Sequence, residues 1–163
     1  MSRLAFFGAL ALLVFTQPAE AQRNEVADRA AIHALMVEYG TTLDSRDFDG
    51  FARLFGDDGL YVAGNGSETR GPAAADLLRT LFEANAQGFR QPNFHLFFNE
   101  VVTFEGPDRA RANSMSLFMV PGPDGRPVAA MSARYEDELV REDDRWRFAR
   151  RVVRPITNTP AGN

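Results

Sequence analysis

The chain has 163 residues, a net charge of −4 and no cysteine, and all eighteen of its basic residues are arginine. Without cysteine or lysine it cannot use a thiolate nucleophile, a cysteine-ligated metal or a lysine Schiff base. No run of basic residues favours binding of a nucleic acid. The remaining possibilities are acid–base chemistry by Asp, His and Tyr, or simple binding.

The first 21 residues have the pattern of a secretory signal peptide. A short basic segment at residues 1–3 precedes an apolar run at residues 4–15, which is too short to span a bilayer comfortably. Residues 19–21 form a small-x-small cleavage pattern. A membrane anchor is the alternative. We expect this segment to be removed on export, leaving a secreted or periplasmic protein that is not bound to a membrane.

Three helices are predicted in the first half of the mature chain. An apolar stripe over residues 24–43 has helical spacing, and Gly40 either weakens this helix or lets another element approach closely. A short helix near residues 48–55 and a strand at 59–63 follow. After a turn-rich loop, Pro72 occupies the first position of a third helix, where its missing N–H has no cost.

The second half of the chain predicts strands. Four long segments rich in Phe, Val and Met are separated by Gly, Pro and Asp clusters typical of hairpin turns. These segments are residues 93–104, 109–120, 128–142 and 145–154. Helices followed by an antiparallel meander predict one α+β domain over residues 22–155. Residues 156–163 are expected to form a loose tail.

Both faces of the first long strand are mostly apolar. Strict alternation puts His95, Phe97, Asn99 and Val101 on one face. It puts Phe94, Leu96, Phe98, Val102 and Phe104 on the other. Three helices cover only one face of a sheet of four to five strands. We therefore expect the outer face to pack on a second subunit in a homodimer.

The candidate acid–base groups are Tyr39, Asp44 and His95. Histidine titrates near neutrality and acts as acid or base. Spacing alone favours structural roles, with His95 as a core histidine and Asp44 as a capping carboxylate, and Tyr39 has packing as its alternative. His33 lies off the apolar stripe and is predicted to be exposed. No spacing of ligands indicates a metal site.

A series of motifs extends over residues 26–155. Their order is Tyr39-x4-Asp44-x2-Asp47, Leu54-Phe55-x-Asp57-Asp58-Gly59, Arg70-Gly71-Pro72, His95-x3-Asn99, Tyr135-x-Asp137 and Arg145-Trp146-Arg147-Phe148. In this order they resemble the SnoaL-like branch of the nuclear transport factor 2-like superfamily. The resemblance implies a cone-shaped, curved antiparallel sheet that about three helices wrap around an apolar pocket. Most members need no cofactor, so it also implies none here.

The resemblance in functional residues is closest to bile acid 7α-dehydratase and scytalone dehydratase. It implies catalytic roles for Tyr39, Asp44 and His95 and matches Arg154 to a further arginine on the last strand. Phe118 stands where a second pocket aspartate is expected, which makes the pocket more apolar. The candidate substrate-binding residues are Asn99, Phe97, Phe118, Tyr135, Trp146 and Arg154.

These residues predict a cofactor-independent lyase or isomerase of the dehydratase type, which acts on a hydrophobic ring compound by Asp–His acid–base chemistry. Three alternatives stay open. The first is a non-catalytic binding or accessory domain. The others are a retro-aldol C–C lyase acting on lignin-like aromatics and a polyketide cyclase.

Overall fold

The computed structural model describes residues 19–86 and 88–156. Its elements are α1 (Ala19–Ser45), α2 (Phe48–Ala52), β1 (Phe55–Val62), β2 (Glu68–Arg70), α3 (Gly71–Ala84), β3 (Phe94–Gly106), β4 (Arg109–Pro121), β5 (Pro127–Glu142) and β6 (Arg145–Pro155). The predicted order of helices and strands is confirmed, with β2 added inside the predicted turn-rich loop. Most of the expected signal peptide lies outside the described residues, and its expected cleavage point falls within α1.

The strands form one six-stranded sheet in the order β2-β1-β6-β5-β4-β3. The last four strands make the predicted antiparallel meander, whereas β1 runs parallel to β6. The mixed α+β class, with N-terminal helices before a curved open sheet, is therefore confirmed. No described helix is long and apolar enough to cross a membrane.

Helix α1 packs its apolar stripe against the inner face of the sheet. Ile32, Met36 and Tyr39 are almost fully buried there, together with Phe51 and Phe148. Each such side chain contributes about 1.5–3 kcal/mol by leaving water. The burial explains why a helix with a glycine near its end is stable.

Gly40 allows the close approach of α1 to β3. A Cβ atom at this position would lie 3.0 Å from Cε2 of Phe97 and 3.2 Å from Cβ of His95. Of the two roles predicted for Gly40, the structure supports this close approach. It brings the end of α1, and with it Asp44, next to the start of β3.

A bulge in β3 changes which residues share a face. The pairing with β4 shifts between Phe98 and Val101, and Asn99 has a φ of +54°. The extra residue reverses the alternation, so buried Val102 and half-buried Phe104 point to the same side as His95. Strict alternation, which put Val101 on the face of His95 and Val102 and Phe104 on the outer face, was wrong beyond the bulge.

A second bulge has the same effect in β6. Phe148 pairs with Leu139 but Arg150 pairs with Glu138, so Ala149 is the extra residue. Beyond this bulge, Arg151 points inward and Arg154 outward.

The outer face of β3 exposes a row of apolar side chains. Phe94, Leu96, Phe98 and Val101 are between 37% and 61% exposed. Scattered apolar residues are ordinary on a protein surface, but a contiguous row is typical of an interface. The homodimer stays a prediction.

Candidate active site

Asp44 and His95 form a short hydrogen-bonded pair. Oδ1 of Asp44 lies 2.7 Å from Nδ1 of His95, and Oδ2 accepts a hydrogen bond of 2.8 Å from the His95 backbone N–H. The side chains are 19% and 10% exposed, respectively, so water screens the contact only in part. A carboxylate only accepts hydrogen bonds, and therefore Nδ1 carries a hydrogen; in the neutral imidazole this leaves the lone pair on Nε2.

His95 also lines a cavity of about 250 Å³ between the helices and the inner face of the sheet. Its described walls are Tyr39, Leu43, Tyr61, Ala63, Gly64, Leu78, Leu81, Phe82, Asn85, Phe89, His95, Ser116, Phe118, Met131, Ser132, Ala133, Tyr135, Val153 and Pro155. None of these is Asp, Glu or Arg. An apolar cavity of about 150 Å³ holds a benzene molecule, so this space suits a compound of one to two rings.

All three tyrosines of the chain lie in the cavity wall. The Tyr39 phenol interacts with those of Tyr61 and Tyr135, and Ser116 Oγ donates to the Tyr135 hydroxyl at 3.2 Å. Burial raises the pKa of Tyr39 and Tyr135, and that of Tyr61 to about 12. The three phenols therefore stay protonated at neutral pH and keep hydrogens to donate.

A buried ion pair lies beside this tyrosine cluster. Arg151 is fully buried, with its guanidinium 3.9 Å from the ring centre of Tyr39 and 4.2 Å from that of Tyr135. Its Nη1 contacts Oδ2 of Asp137 at 3.2 Å. Oδ1 of Asp137 and two nitrogens of Arg151 have no described hydrogen-bond partner. Burial raises the pKa of Asp137 to about 7, because the one contact only partly offsets the loss of water.

The structure brings some of the predicted site residues together and leaves others apart. The cavity walls include Tyr39, His95, Tyr135 and Phe118, whose ring centre is 4.8 Å from that of His95. Phe97 is not itself a wall residue, but it packs against the rings of the wall residues Tyr39 and Tyr135.

Besides Phe97, three more of the predicted substrate-binding residues lie outside the cavity walls. Asn99 is exposed at the β3 bulge. Trp146 donates to Asp28 at 3.0 Å and packs on Phe104. Arg154 pairs with Glu136 on the outer face, because the β6 bulge turns it outward.

Sequence reasoning missed Tyr61, Ser116 and the inward position of Arg151. Tyr61 lies in β1 just beyond the motif at residues 54–59 and carried no signal of its own, and Ser116 has no local signal. For Arg151 only the bulge decides the face. Asp137 belonged to a quoted motif but had no assigned role.

His33 is 65% exposed in its side chain, as predicted, and contacts Glu100 at 3.1 Å. Among the described residues no group of three or more His, Asp or Glu side chains is arranged to hold a metal ion.

Comparison with known proteins agrees with this architecture. Residues 24–152 match the SnoaL-like domain family. An uncharacterized protein of Mycobacterium tuberculosis, Rv2910c, is 30% identical over 130 residues, which cover 78% of this chain and 85% of that protein.

Two solved structures share the fold. An NTF2-like protein with a cystatin-like fold from Novosphingobium aromaticivorans has a TM-score of 0.74 and 25% identity, covering 93% of this chain and 96% of that one. The hexachlorocyclohexane dehydrochlorinase LinA-type3 from Novosphingobium barchaimii has a TM-score of 0.67 and 22% identity, covering 87% and 96%. The extent of the family match, over most of the chain, shows that this protein belongs to the SnoaL-like domain family.

Proposed function

We propose that this protein is a cofactor-independent lyase or isomerase, which moves a proton on a neutral ring compound by Asp44–His95 acid–base chemistry. The observation that carries this proposal is the 2.7 Å contact between Asp44 and His95, with His95 at the cavity wall. A carboxylate that orients an imidazole beside an apolar cavity is the usual arrangement of a general base.

In the proposed reaction, Nε2 of His95 takes a proton from a ring carbon. The C–H electrons form a new double bond and the C–O bond breaks; the leaving hydroxyl keeps the bonding pair, accepts the proton now on Nε2 of His95 and departs as water. Asp44 holds the imidazole and stabilises its protonated form. Tyr39 donates a hydrogen bond to the oxygen that gains charge. A positioned acid or base contributes about 10²–10⁴-fold in rate. Because the cavity walls are mostly apolar and exclude water, each hydrogen bond inside the cavity is stronger than it would be in water.

The composition of the cavity walls favours a substrate that has no net charge and carries an oxygen atom. No described wall residue bears a carboxylate or guanidinium that would compensate a charged ligand. The protonated phenols of Tyr39, Tyr61 and Tyr135 are donors suited to a carbonyl or hydroxyl oxygen. Relatives in fold that include a dehydrochlorinase give the elimination chemistry a precedent.

The proposal is tested by incubating the purified protein with neutral hydroxylated ring compounds, including steroids and lignin dimers, and measuring products by mass spectrometry. Asp44→Asn and His95→Ala should each lower turnover about 10²-fold or more while the protein stays folded. His33→Ala, at the chain's only other histidine, is the matched control and should keep full activity. Unchanged turnover in both site variants would refute the proposal.

A non-catalytic binding role is the second candidate, favoured by one observation. The rings of Phe97 and Phe118 lie next to His95, with their centres 6.2 Å and 4.8 Å from that of the imidazole, and such an aromatic environment also suits a structural histidine. In that case His95→Phe should fold at least as well and keep ligand affinity, and no compound in the panel should be converted.

A further inference from the structure

Arg46 lies beside the catalytic pair but outside the cavity walls. It follows α1 directly and has a φ of +64°, in the left-handed region that glycine prefers. The Arg46 N–H bonds the Leu43 carbonyl at 3.2 Å, and the Asp47 N–H bonds the Thr42 carbonyl at 2.8 Å. These two bonds form a Schellman motif, in which the left-handed position is usually glycine.

The side chain of Arg46 makes contacts that a glycine would lack. Nη1 donates to the Leu43 carbonyl at 2.6 Å, and Nη2 donates to Oδ1 of Asn93 at 2.6 Å. The guanidinium lies 4.1 Å from the ring centre of Phe82, a residue of the cavity wall. A non-glycine residue in this conformation has an energetic cost of about 1 kcal/mol or more, and such outliers are concentrated at functional sites.

Asn93 connects Arg46 to Asp44. Asn93 is 8% exposed, and its Nδ2 faces Oδ1 of Asp44 at 3.4 Å, the same oxygen that contacts His95. A guanidinium has only donors, so the amide atom that faces Arg46 must be the oxygen. The amide nitrogen is thereby turned toward Asp44. If the amide were reversed, two oxygens would face each other.

We propose that Arg46 and Asn93 are positioning residues, which form a relay Arg46–Asn93–Asp44–His95 that holds the carboxylate in line with the imidazole. This inference rests on the proposed function, since it concerns the alignment of the same acid–base pair. Arg46 fixes the amide orientation of Asn93. Asn93 then supplies a donor to the Asp44 oxygen, in addition to the two donors of His95.

The conformation of Arg46 provides a test that separates positioning from folding. Arg46→Gly places the preferred residue in the Schellman motif and removes the Arg46 side chain with its guanidinium. Asn93→Asp keeps the size of the side chain and the contact with Arg46, but it presents an oxygen instead of a donor to Asp44. Asp143→Gly is the matched control, because Asp143 also has a positive φ, of +49°, and lies in the turn between β5 and β6.

The readout is the solvent exchange rate of the His95 Nδ1 hydrogen, measured by ¹⁵N-resolved NMR. The chain has two histidines, and exposed His33 serves as an internal reference. We expect exchange at least about tenfold faster in Arg46→Gly and Asn93→Asp, the factor for losing about 1.4 kcal/mol of alignment, with the urea midpoint of Arg46→Gly unchanged or raised. Asp143→Gly should leave the exchange rate unchanged.

Wild-type exchange rates in both folded relay variants would overturn the relay. Because the measurement needs no substrate, its outcome is separate from that of the proposed function. If Asp44→Asn loses turnover while the Nδ1 hydrogen exchange rate stays unchanged in the relay variants, the proposed role of Asp44 and His95 is retained and only the relay is rejected. Once a substrate is known, the relay variants should lower kcat more than they raise KM.

Discussion

The buried pair of Asp137 and Arg151 makes the stability of the fold depend on pH in an uncommon direction. Two effects compete at Asp137. Attraction to Arg151 favours the charged carboxylate, and the loss of water favours the neutral acid. Because only one contact of 3.2 Å joins the pair, desolvation dominates and raises the pKa of Asp137 from 3.8 to about 7.

The size of the effect follows from that difference. Between about pH 4 and pH 7 the folded protein keeps a proton that the unfolded chain has released, so the free energy of unfolding falls as pH rises. A difference of about three pH units, at about 1.4 kcal/mol each, gives about 4 kcal/mol in total. The stabilisation is fully present below about pH 4 and is lost once the pH exceeds about 7.

Asp137→Asn mimics the neutral acid and removes this dependence. The assay is urea unfolding at several pH values from 5 to 8, followed by the fluorescence of Trp146, which is the single tryptophan and is buried. We expect the wild type to lose about 2 kcal/mol relative to Asp137→Asn between pH 5 and pH 7, since half of the folded molecules have released the Asp137 proton by pH 7. Near pH 5 the two proteins should have similar stability.

The neighbouring Glu136 provides the matched control. Glu136 points to the outer face, where its hydrogen bond with Arg154 lowers the pKa of its carboxyl. The stabilisation from this bond is therefore present above the ordinary pKa of glutamate and is lost only as the pH falls through and below that value. Glu136 is also the smallest of the charges that raise the pKa of Asp137, so Glu136→Gln should keep the wild-type fall in stability from pH 5 to pH 8 and move its midpoint only slightly lower. Parallel profiles for the wild type and Asp137→Asn would refute the reasoning, because they would show that attraction to Arg151 outweighs desolvation.

Three further predictions concern α1, the outer face and the cavity. Gly40→Ala should lower the urea midpoint, because the cost of overpacking against β3, about 1–3 kcal/mol, exceeds the gain in helix propensity of about 1 kcal/mol. A higher midpoint would mean that β3 moves away from α1 and contradict this. We propose that the apolar outer face joins two copies, so Leu96→Glu should convert a dimer into a monomer in analytical ultracentrifugation, and a monomeric wild type would contradict this. Tyr61→Phe should weaken the binding of 2-naphthol about tenfold in a calorimetric titration, which is the effect of losing one hydrogen bond. Ser132→Ala is the control and should keep the wild-type affinity, because the Ser132 hydroxyl faces the Ile156 carbonyl. Equal affinities of the wild type and Tyr61→Phe would exclude Tyr61 as a donor.

Much of the architecture could be predicted because its signals are local. The helical spacing around Met36 fixes the buried side of α1, and Pro72 fixes the start of α3. Turn residues separate the four long strands at the correct places. The motif order also indicated Asp44 and His95 as a pair, although 51 positions separate them.

The rest depends on contacts between distant segments. The sequence of β6 contains the doublets Phe148-Ala149, Arg150-Arg151 and Val152-Val153, and only the pairing with β5 decides that the bulge falls at Ala149 and exchanges Arg154 for Arg151 on the inner face. The parallel pairing of β1 with β6 likewise has no local signal, and neither does the gathering of Tyr61 with the other two tyrosines.

The sequence by itself determined the class of fold and the chemistry that the missing cysteine and lysine exclude, and it indicated Asp44 and His95 as the candidate acid–base pair. The tertiary structure alone decided which residues face the cavity, where the buried charge lies and how Arg46 reaches Asp44 through Asn93. The physical reason is that periodicity and turn chemistry act within a few residues. Strand register, bulges and side-chain networks are set by packing between segments far apart in the chain.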